Sequence, residues 1–69
     1  MATFIMSKDS RGEWRWKLVA GNNETIADSA ESYTRREGCL NGIALVKRDA
    51  AAAAVYDISD GTKKIVPGA

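Results

Sequence analysis

Histidine is absent from this chain of 69 residues, and cysteine occurs only once. One cysteine cannot form a disulfide within the chain, and without histidine the usual sets of zinc ligands cannot be assembled. Nucleophilic catalysis would also lack its commonest base, because that base is histidine. These absences predict a protein that is not an enzyme and that holds no metal or other cofactor.

Long apolar runs are missing as well. No segment approaches the roughly 18 apolar residues of a membrane-spanning helix, and the first residues lack the basic and apolar regions of a secretion signal. A lone thiol without an export signal favours the cytoplasm. Lysine and arginine number 10 against 9 acidic residues, so bulk electrostatic attraction to nucleic acid is not favoured. We therefore expect a cytoplasmic protein with no membrane partner.

The small size of the chain points to self-association. A domain of about 60 residues buries only about 60% of the surface of its unfolded chain and is marginally stable alone. Disulfides, metals and partner subunits are the common remedies, and the composition excludes the first two. A second copy of the same chain, giving a homodimer, is the remaining expectation.

Alternation of apolar and polar residues predicts three antiparallel strands in the first part of the chain. The clearest covers residues 13–20, where Trp14, Trp16 and Leu18 share one face. Residues 3–8 form the strand before it, across a turn at residues 9–12. The segment 25–28 is short and rich in β-prone residues, and it is the third strand.

A helix is predicted after these strands. Thr34 and Glu37 have the spacing of a capping box, which starts the helix at Arg35. Its apolar face carries Cys39, Ile43, Val46 and Ala50. Gly38 and Gly42 each cost about 0.8–1 kcal/mol of helix propensity relative to alanine. Their spacing favours a helix that packs closely on the sheet. The alternative is a helix of low intrinsic propensity that is stabilised by its tertiary contacts.

The last third of the chain is harder to interpret. We expect the helix to end near residues 49–51 and a fourth strand to cover residues 53–58, despite the helix propensity of five consecutive alanines. The domain then spans residues 1–58. The tail, residues 59–69, is expected to be flexible, with a short edge strand at residues 63–66 as the alternative.

Several segments together resemble the YegP-like family of small bacterial domains of unknown function. They are Trp-Arg-Trp-Lys-Leu-Val-Ala-Gly-Asn at residues 14–22, Ile-Ala-Asp-Ser at 26–29, Glu-Ser-Tyr at 31–33, Cys-Leu-Asn-Gly-Ile at 39–43 and Val-Lys at 46–47. The resemblance covers residues 3–57 in the family's order.

The resemblance implies an α+β fold, in which a β-β-β-α-β unit forms an antiparallel sheet with one helix packed on it. Two such units complete one sheet and exchange their C-terminal strands, so a chain with a single unit is implied to be a homodimer. The exchanged strand would contain Ala54, Val55, Tyr56 and Asp57. No activity, cofactor or catalytic residue comes with the resemblance.

Two faces of the second strand suggest different roles. The tryptophans are expected in the core beneath the helix rather than on an exposed stacking surface. Arg15 and Lys17, with Lys8 as a further candidate, lie on the opposite face, which is either a solvated surface or a weak phosphate-binding one.

Polar residues before and at the start of the helix are the remaining candidates. They either bond local backbone groups or form the rim of a ligand or partner surface, and Arg35 could pair with Glu31 or with a partner subunit. The candidate surface residues are Arg15, Lys17, Ser29, Glu31, Tyr33 and Arg35. Cys39 is expected to be buried and inert. The sequence thus predicts a non-catalytic binding or interaction module, with weak nucleic-acid binding as the alternative.

Overall fold

The computed structural model describes every residue from Met1 to Ala69. Strands β1 (Thr3–Lys8), β2 (Trp14–Val19) and β3 (Thr25–Asp28) form one antiparallel sheet in the order β1-β2-β3. Helix α1 (Arg36–Asp49) follows and continues into a 3₁₀ turn, Ala50–Ala52. Two short strands, β4 (Tyr56–Asp57) and β5 (Lys64–Ile65), form a separate antiparallel pair. The predicted α+β class, an antiparallel sheet with one helix, is confirmed.

The β1–β2 hairpin is closed by one aspartate. Asp9 Oδ1 accepts hydrogen bonds from the backbone N–H groups of Arg11 and Glu13, at 2.9 and 3.0 Å. Gly12 completes the turn at φ +78°, a conformation that costs glycine little. The resulting register sets Met6 opposite Trp16, so these two large apolar side chains share one face.

We name the two faces of this sheet by what they carry. The core face packs against α1 and carries Phe4, Met6, Trp14, Trp16 and Leu18. The outer face carries Ile5, Ser7, Arg15 and Lys17. Trp16, Cys39 and Ile43 form the buried core, and the rings of Phe4 and Trp16 meet edge to face with centroids 5.5 Å apart. The prediction that the tryptophan face lies beneath the helix is confirmed.

Lys8, the further candidate for the outer face, lies on the core face instead. Because it lies opposite Trp14 in the register, it shares the core face, and its Nζ lies 5.1 Å from the centroid of the Trp14 ring. The aromatic ring attracts this cation, which is therefore not part of a basic outer face.

The start of α1 differs from the predicted capping box. Arg35 is the N-cap residue, and no side chain caps the helix there. The reason lies two residues before this N-cap: Tyr33 exchanges two backbone hydrogen bonds with Trp14, at 2.7 and 2.8 Å, and is fixed beside β2. The chain therefore enters the helix one residue later than Thr34 would require.

The two glycines of α1 do mark a close approach, as the sequence predicted. A Cβ on Gly42 would lie 2.5 Å from the Tyr33 hydroxyl oxygen, and one on Gly38 would lie 3.4 Å from the Tyr33 ring. The tyrosine ring thus lies along a strip of helix that has no side chains. Trp16 Nε1 would be 3.5 Å from the Gly42 Cβ.

The C-terminal part of the chain stands apart from this core. Every residue from Lys47 onward is exposed, including both strands of the β4–β5 pair. The radius of gyration is 14.6 Å, whereas a compact domain of this length has about 11 Å. Only four of the 69 residues are buried. The chain alone is therefore extended and has a small core.

The predicted fourth strand and tail are only partly regular. Of residues 53–58, only Tyr56–Asp57 are in a strand, and they pair with Lys64–Ile65 rather than with the first sheet. The short edge strand considered for residues 63–66 is thus present. Flexibility of the tail stays a prediction, as does strand exchange.

Candidate functional site

The one depression in the surface lies on the outer face of the sheet, where β2 meets the segment after β3. Its volume is about 320 Å³. It brings together three of the residues predicted from the sequence, Arg15, Lys17 and Ser29. The full lining consists of Ser7, Arg15, Trp16, Lys17, Asp28, Ser29 and Ala30.

Arg15 connects two loops across this depression. Its Nε donates to Asp9 Oδ2 at 3.0 Å, and its Nη1 donates to the carbonyl oxygen of Ala30 at 3.1 Å. Ala30 has φ +58°, and its N–H donates to Asp28 Oδ1 at 2.9 Å. The hydrogen bond from Arg15 is the largest of the interactions that lower the pKa of Asp9. The guanidinium is therefore already paired with a carboxylate.

Lys17 is the other cation of the outer face. It is exposed, it lies opposite Asp28 in the register, and it forms no ion pair within 4 Å. With Arg15 bound to Asp9 and Lys8 on the core face, Lys17 is the single unpaired cation on the outer face of these strands. Affinity for a nucleic-acid backbone grows with the number of phosphates that lysine and arginine neutralise. Nucleic-acid binding stays a prediction, with little charge to support it.

The segment from Ser29 to Tyr33 continues the sheet beside β2. Ser29 N–H donates to the Trp16 carbonyl at 2.9 Å, and Tyr33 N–H donates to the Trp14 carbonyl at 2.8 Å. Ser29 Oγ donates to the Glu31 carbonyl at 2.8 Å. These bonds match the alternative in which this polar segment satisfies local backbone groups.

The other predicted site residues do not join the depression. The Tyr33 ring lies against α1, and Glu31 and Arg35 are exposed elsewhere, without the ion pair that the sequence suggested between them. Asp9 and Asp28, which also shape the depression, are not among the candidate surface residues. Asp9 stands first in a turn signal, the position at which an aspartate bonds the backbone two residues later, and that signal could have revealed it.

Residues 9–57 match the domain of unknown function DUF1508, which is more than half of the chain. The chain belongs to the DUF1508 family. No function comes with this membership, and the YegP-like name suggested by the resemblance stays a prediction.

The relatives of this DUF1508 chain carry no activity in their names. A UPF0339 protein of Neisseria meningitidis serogroup B is 40% identical over 55 residues, which are 80% of this chain and 96% of the relative. A UPF0339 protein of Stutzerimonas stutzeri is 42% identical over 80% of this chain and 49% of its own length. A protein from Haloferax volcanii, solved by NMR, is 38% identical, with a TM-score of 0.76 over 81% of this chain and 93% of that one.

The chemistry available to this DUF1508 domain is limited by burial. Cys39 is fully buried, and burial raises the pKa of its thiol, which disfavours the nucleophilic thiolate.

No three Cys, Asp or Glu side chains are close enough together to hold a metal ion. Neither helical segment has the length and apolar character needed to cross a bilayer.

Proposed function

We propose that this protein is a non-catalytic interaction module that works as a homodimer, in which two chains exchange their C-terminal hairpins. The C-terminal hairpin is defined here as residues 55–66, which contain β4, β5 and the turn between them. One observation carries the proposal: the apolar side chains of this hairpin are 36–67% exposed in the single chain. They are Val55, Tyr56, Ile58, Ile65 and Val66.

Such a hairpin is only marginally stable while its apolar side chains face water. Two strands without a third strand or a helix against them are marginally stable in water. Contiguous exposed apolar surface usually marks an interface. Complete burial of a large apolar side chain contributes about 1.5–3 kcal/mol, so covering side chains that are half exposed contributes on the order of 1 kcal/mol each. A second copy of the chain can supply that cover.

The length of one relative supports two units per assembly. The matched segment is 49% of the Stutzerimonas stutzeri relative, so that protein is about twice as long as the segment. This is the length needed for two units in one chain. A homodimer of the present chain provides the same two units from separate chains.

The geometry of the depression supports a non-catalytic role. Its only hydroxyl groups are those of Ser7 and Ser29, and Ser29 Oγ already donates to a backbone carbonyl. A nucleophile needs a base within hydrogen-bonding distance, and the depression contains no histidine. Its carboxylate, Asp28, instead accepts a hydrogen bond from a backbone N–H.

Sedimentation equilibrium tests the proposal. At tens of micromolar, on the order of concentrations used for weak homodimers, we expect twice the 7.4 kDa mass of the chain. Tyr56→Ser should shift the equilibrium toward the monomer by removing the largest exposed side chain of the hairpin.

Leu45→Ser is the matched control for that variant. Leu45 is 50% exposed and Tyr56 48%, but Leu45 lies two residues after Ile43 and so on the side of α1 away from the sheet. Its replacement should leave the dimer intact. A parent chain that stays folded and monomeric throughout the concentration range contradicts the proposal.

A further inference from the structure

We propose that the depression on the outer face binds a small polar α-amino acid, with the carboxylate of the ligand against Arg15 and Lys17 and its ammonium group against Asp28. The inference goes beyond the homodimer and does not rest on it, because β2 and the end of β3 supply these residues within one chain. Small-molecule sites are concave and orient their ligand through a few convergent polar groups. The depression has both properties.

Strand alternation places the three charged side chains on one face. Arg15 and Lys17 are two residues apart in β2, so they point to the same side with Cα atoms about 7 Å apart. Asp28 lies opposite Lys17 in the antiparallel register, and residues opposite each other have side chains on the same face. Two cations and one carboxylate therefore converge on the depression.

Arg15 is held in place and keeps donors to spare. Its Nε donates to Asp9 and its Nη1 to the Ala30 carbonyl, at 3.0 and 3.1 Å, and the side chain is 43% exposed. A guanidinium carries five N–H groups, and two are used here, which leaves three that can donate to a ligand carboxylate. Because the side chain is already oriented, binding a ligand costs it little conformational freedom.

Lys17 and Asp28 face the depression without pairing with each other. Both are exposed, and no ion pair within 4 Å includes either of them. Asp28 Oδ1 accepts the Ala30 N–H at 2.9 Å, which leaves Oδ2 free to accept another donor. An exposed pair of this kind would contribute little to stability, so a ligand that contacts both side chains displaces nothing of value.

The balance of charge selects the class of ligand. Asp9 already neutralises Arg15, and the charges of Lys17 and Asp28 cancel. A phosphate group would bring two negative charges up to the Asp28 carboxylate, and like charges at close range repel each other. An uncharged molecule would leave Lys17 without an anionic partner. A zwitterion of zero net charge offers an anion to Lys17 and a cation to Asp28.

The lining favours a small and polar side chain on this ligand. Only Trp16 and Ala30 are apolar among the lining residues, and the Trp16 side chain lies on the core face, so no large apolar wall is present. Ser7 lies opposite Arg15 and its hydroxyl group is free to bond the ligand. The volume of about 320 Å³ suits a single amino acid.

An NMR titration of the labelled protein with glycine, the simplest α-amino acid, tests the inference. We expect the amides of residues 15–17 and 28–30 to shift together, with a dissociation constant on the order of 1–10 mM for so small a ligand. Acetate and methylammonium each carry one half of the glycine molecule. Each should bind at least about ten-fold more weakly, because each loses one of the two charged contacts.

Lys17→Gln should weaken glycine binding about ten-fold. Lys47→Gln is the matched control, since Lys47 is an exposed lysine of α1 outside the depression, and it should bind glycine like the parent. Asp28→Asn keeps an oxygen that can accept the Ala30 N–H, so the loop is retained. This variant should bind glycine no better than the parent binds acetate.

Four results would overturn the inference. They are the absence of shifts up to about 50 mM glycine, acetate binding as tight as glycine binding, inorganic phosphate binding tighter than glycine binding, and equal losses in Lys17→Gln and Lys47→Gln. The second and third would assign the depression to simple anions. Each of them leaves the homodimer standing, because sedimentation measures the mass of the assembly and the titration measures the outer face of each chain.

Discussion

Replacing Gly42 by alanine tests the closest packing in the molecule. Alanine in the middle of a helix is favoured over glycine by about 0.8–1.0 kcal/mol, so propensity alone predicts a more stable protein. The structure predicts the reverse, because the new Cβ would lie 2.5 Å from the Tyr33 hydroxyl oxygen and 3.1 Å from Tyr33 Cζ.

The magnitude follows from how little the tyrosine can move. A Cβ at 2.5 Å is roughly 1 Å inside ordinary van der Waals contact, and the ring is rigid. The backbone of Tyr33 is held by two hydrogen bonds to Trp14. Overpacking of this kind costs about 1–3 kcal/mol. Set against the gain in propensity, Gly42→Ala should lower the free energy of unfolding by about 1 kcal/mol.

Gly38→Ala is the matched control on the same helix and the same ring. Its Cβ would meet Tyr33 Cδ1 at 3.4 Å, which is ordinary contact. The gain in propensity then remains, so this variant should be more stable by about 0.5–1 kcal/mol. The two alanine variants, one turn of helix apart, are thus expected to have opposite signs.

Thermal unfolding followed by circular dichroism checks this pair at one fixed chain concentration, since an associating protein melts at a temperature that depends on concentration. A change of 1 kcal/mol moves the midpoint by about 4–8 °C in a domain of this size. Tyr33→Phe should rescue much of the Gly42→Ala loss by removing the hydroxyl oxygen. If Gly42→Ala stabilises the protein as much as Gly38→Ala does, the close approach of Tyr33 to the helix is wrong.

Three further predictions concern the core and the β1–β2 turn. Trp16→Ala should cost about 3–5 kcal/mol, and a denaturant midpoint equal to that of the parent would contradict its place in the core. Cys39 should resist a thiol-alkylating reagent in the native state and react after denaturation, as mass spectrometry can show; rapid native labelling would contradict its burial. Because Arg15 holds the pKa of Asp9 below 3.8, the Asp9 contribution to stability is present above that pH and lost as pH falls through the lowered pKa. Asp9→Asn should therefore reduce the drop in melting temperature between about pH 5 and pH 2, and an unchanged drop would show that the Arg15 contact contributes nothing.

Local sequence patterns predicted the first sheet well. Trp14 and Trp16 stand two residues apart, a spacing that puts both on one side of a strand, and the core lies on that side. Gly38 and Gly42 likewise predicted a close approach, although the group that fills it, the Tyr33 ring, comes from the segment before the helix rather than from a strand.

Features that depend on distant groups could not be predicted in this way. Lys8 is a different case, because its spacing of two residues from Met6 already places it on the core face of β1. The cap at Thr34 failed because backbone bonds from Tyr33 to β2 fix the chain before the helix starts. The depression depends on Arg15 bridging two loops, an interaction between residues far apart in the sequence.

The exposed C-terminal hairpin also determines whether assembly ends at two chains or continues into a filament. Under the exchange proposed above, each chain has one hairpin that it donates and one surface that accepts a hairpin. Reciprocal exchange between two chains uses both hairpins and both accepting surfaces, whereas donation in one direction leaves one of each free and grows a filament. The short alanine segment between α1 and β4, residues 50–54, determines how far a hairpin can reach. Because a closed pair needs each hairpin to reach the chain that donates to it, the reach of this segment decides between a closed pair and an open polymer.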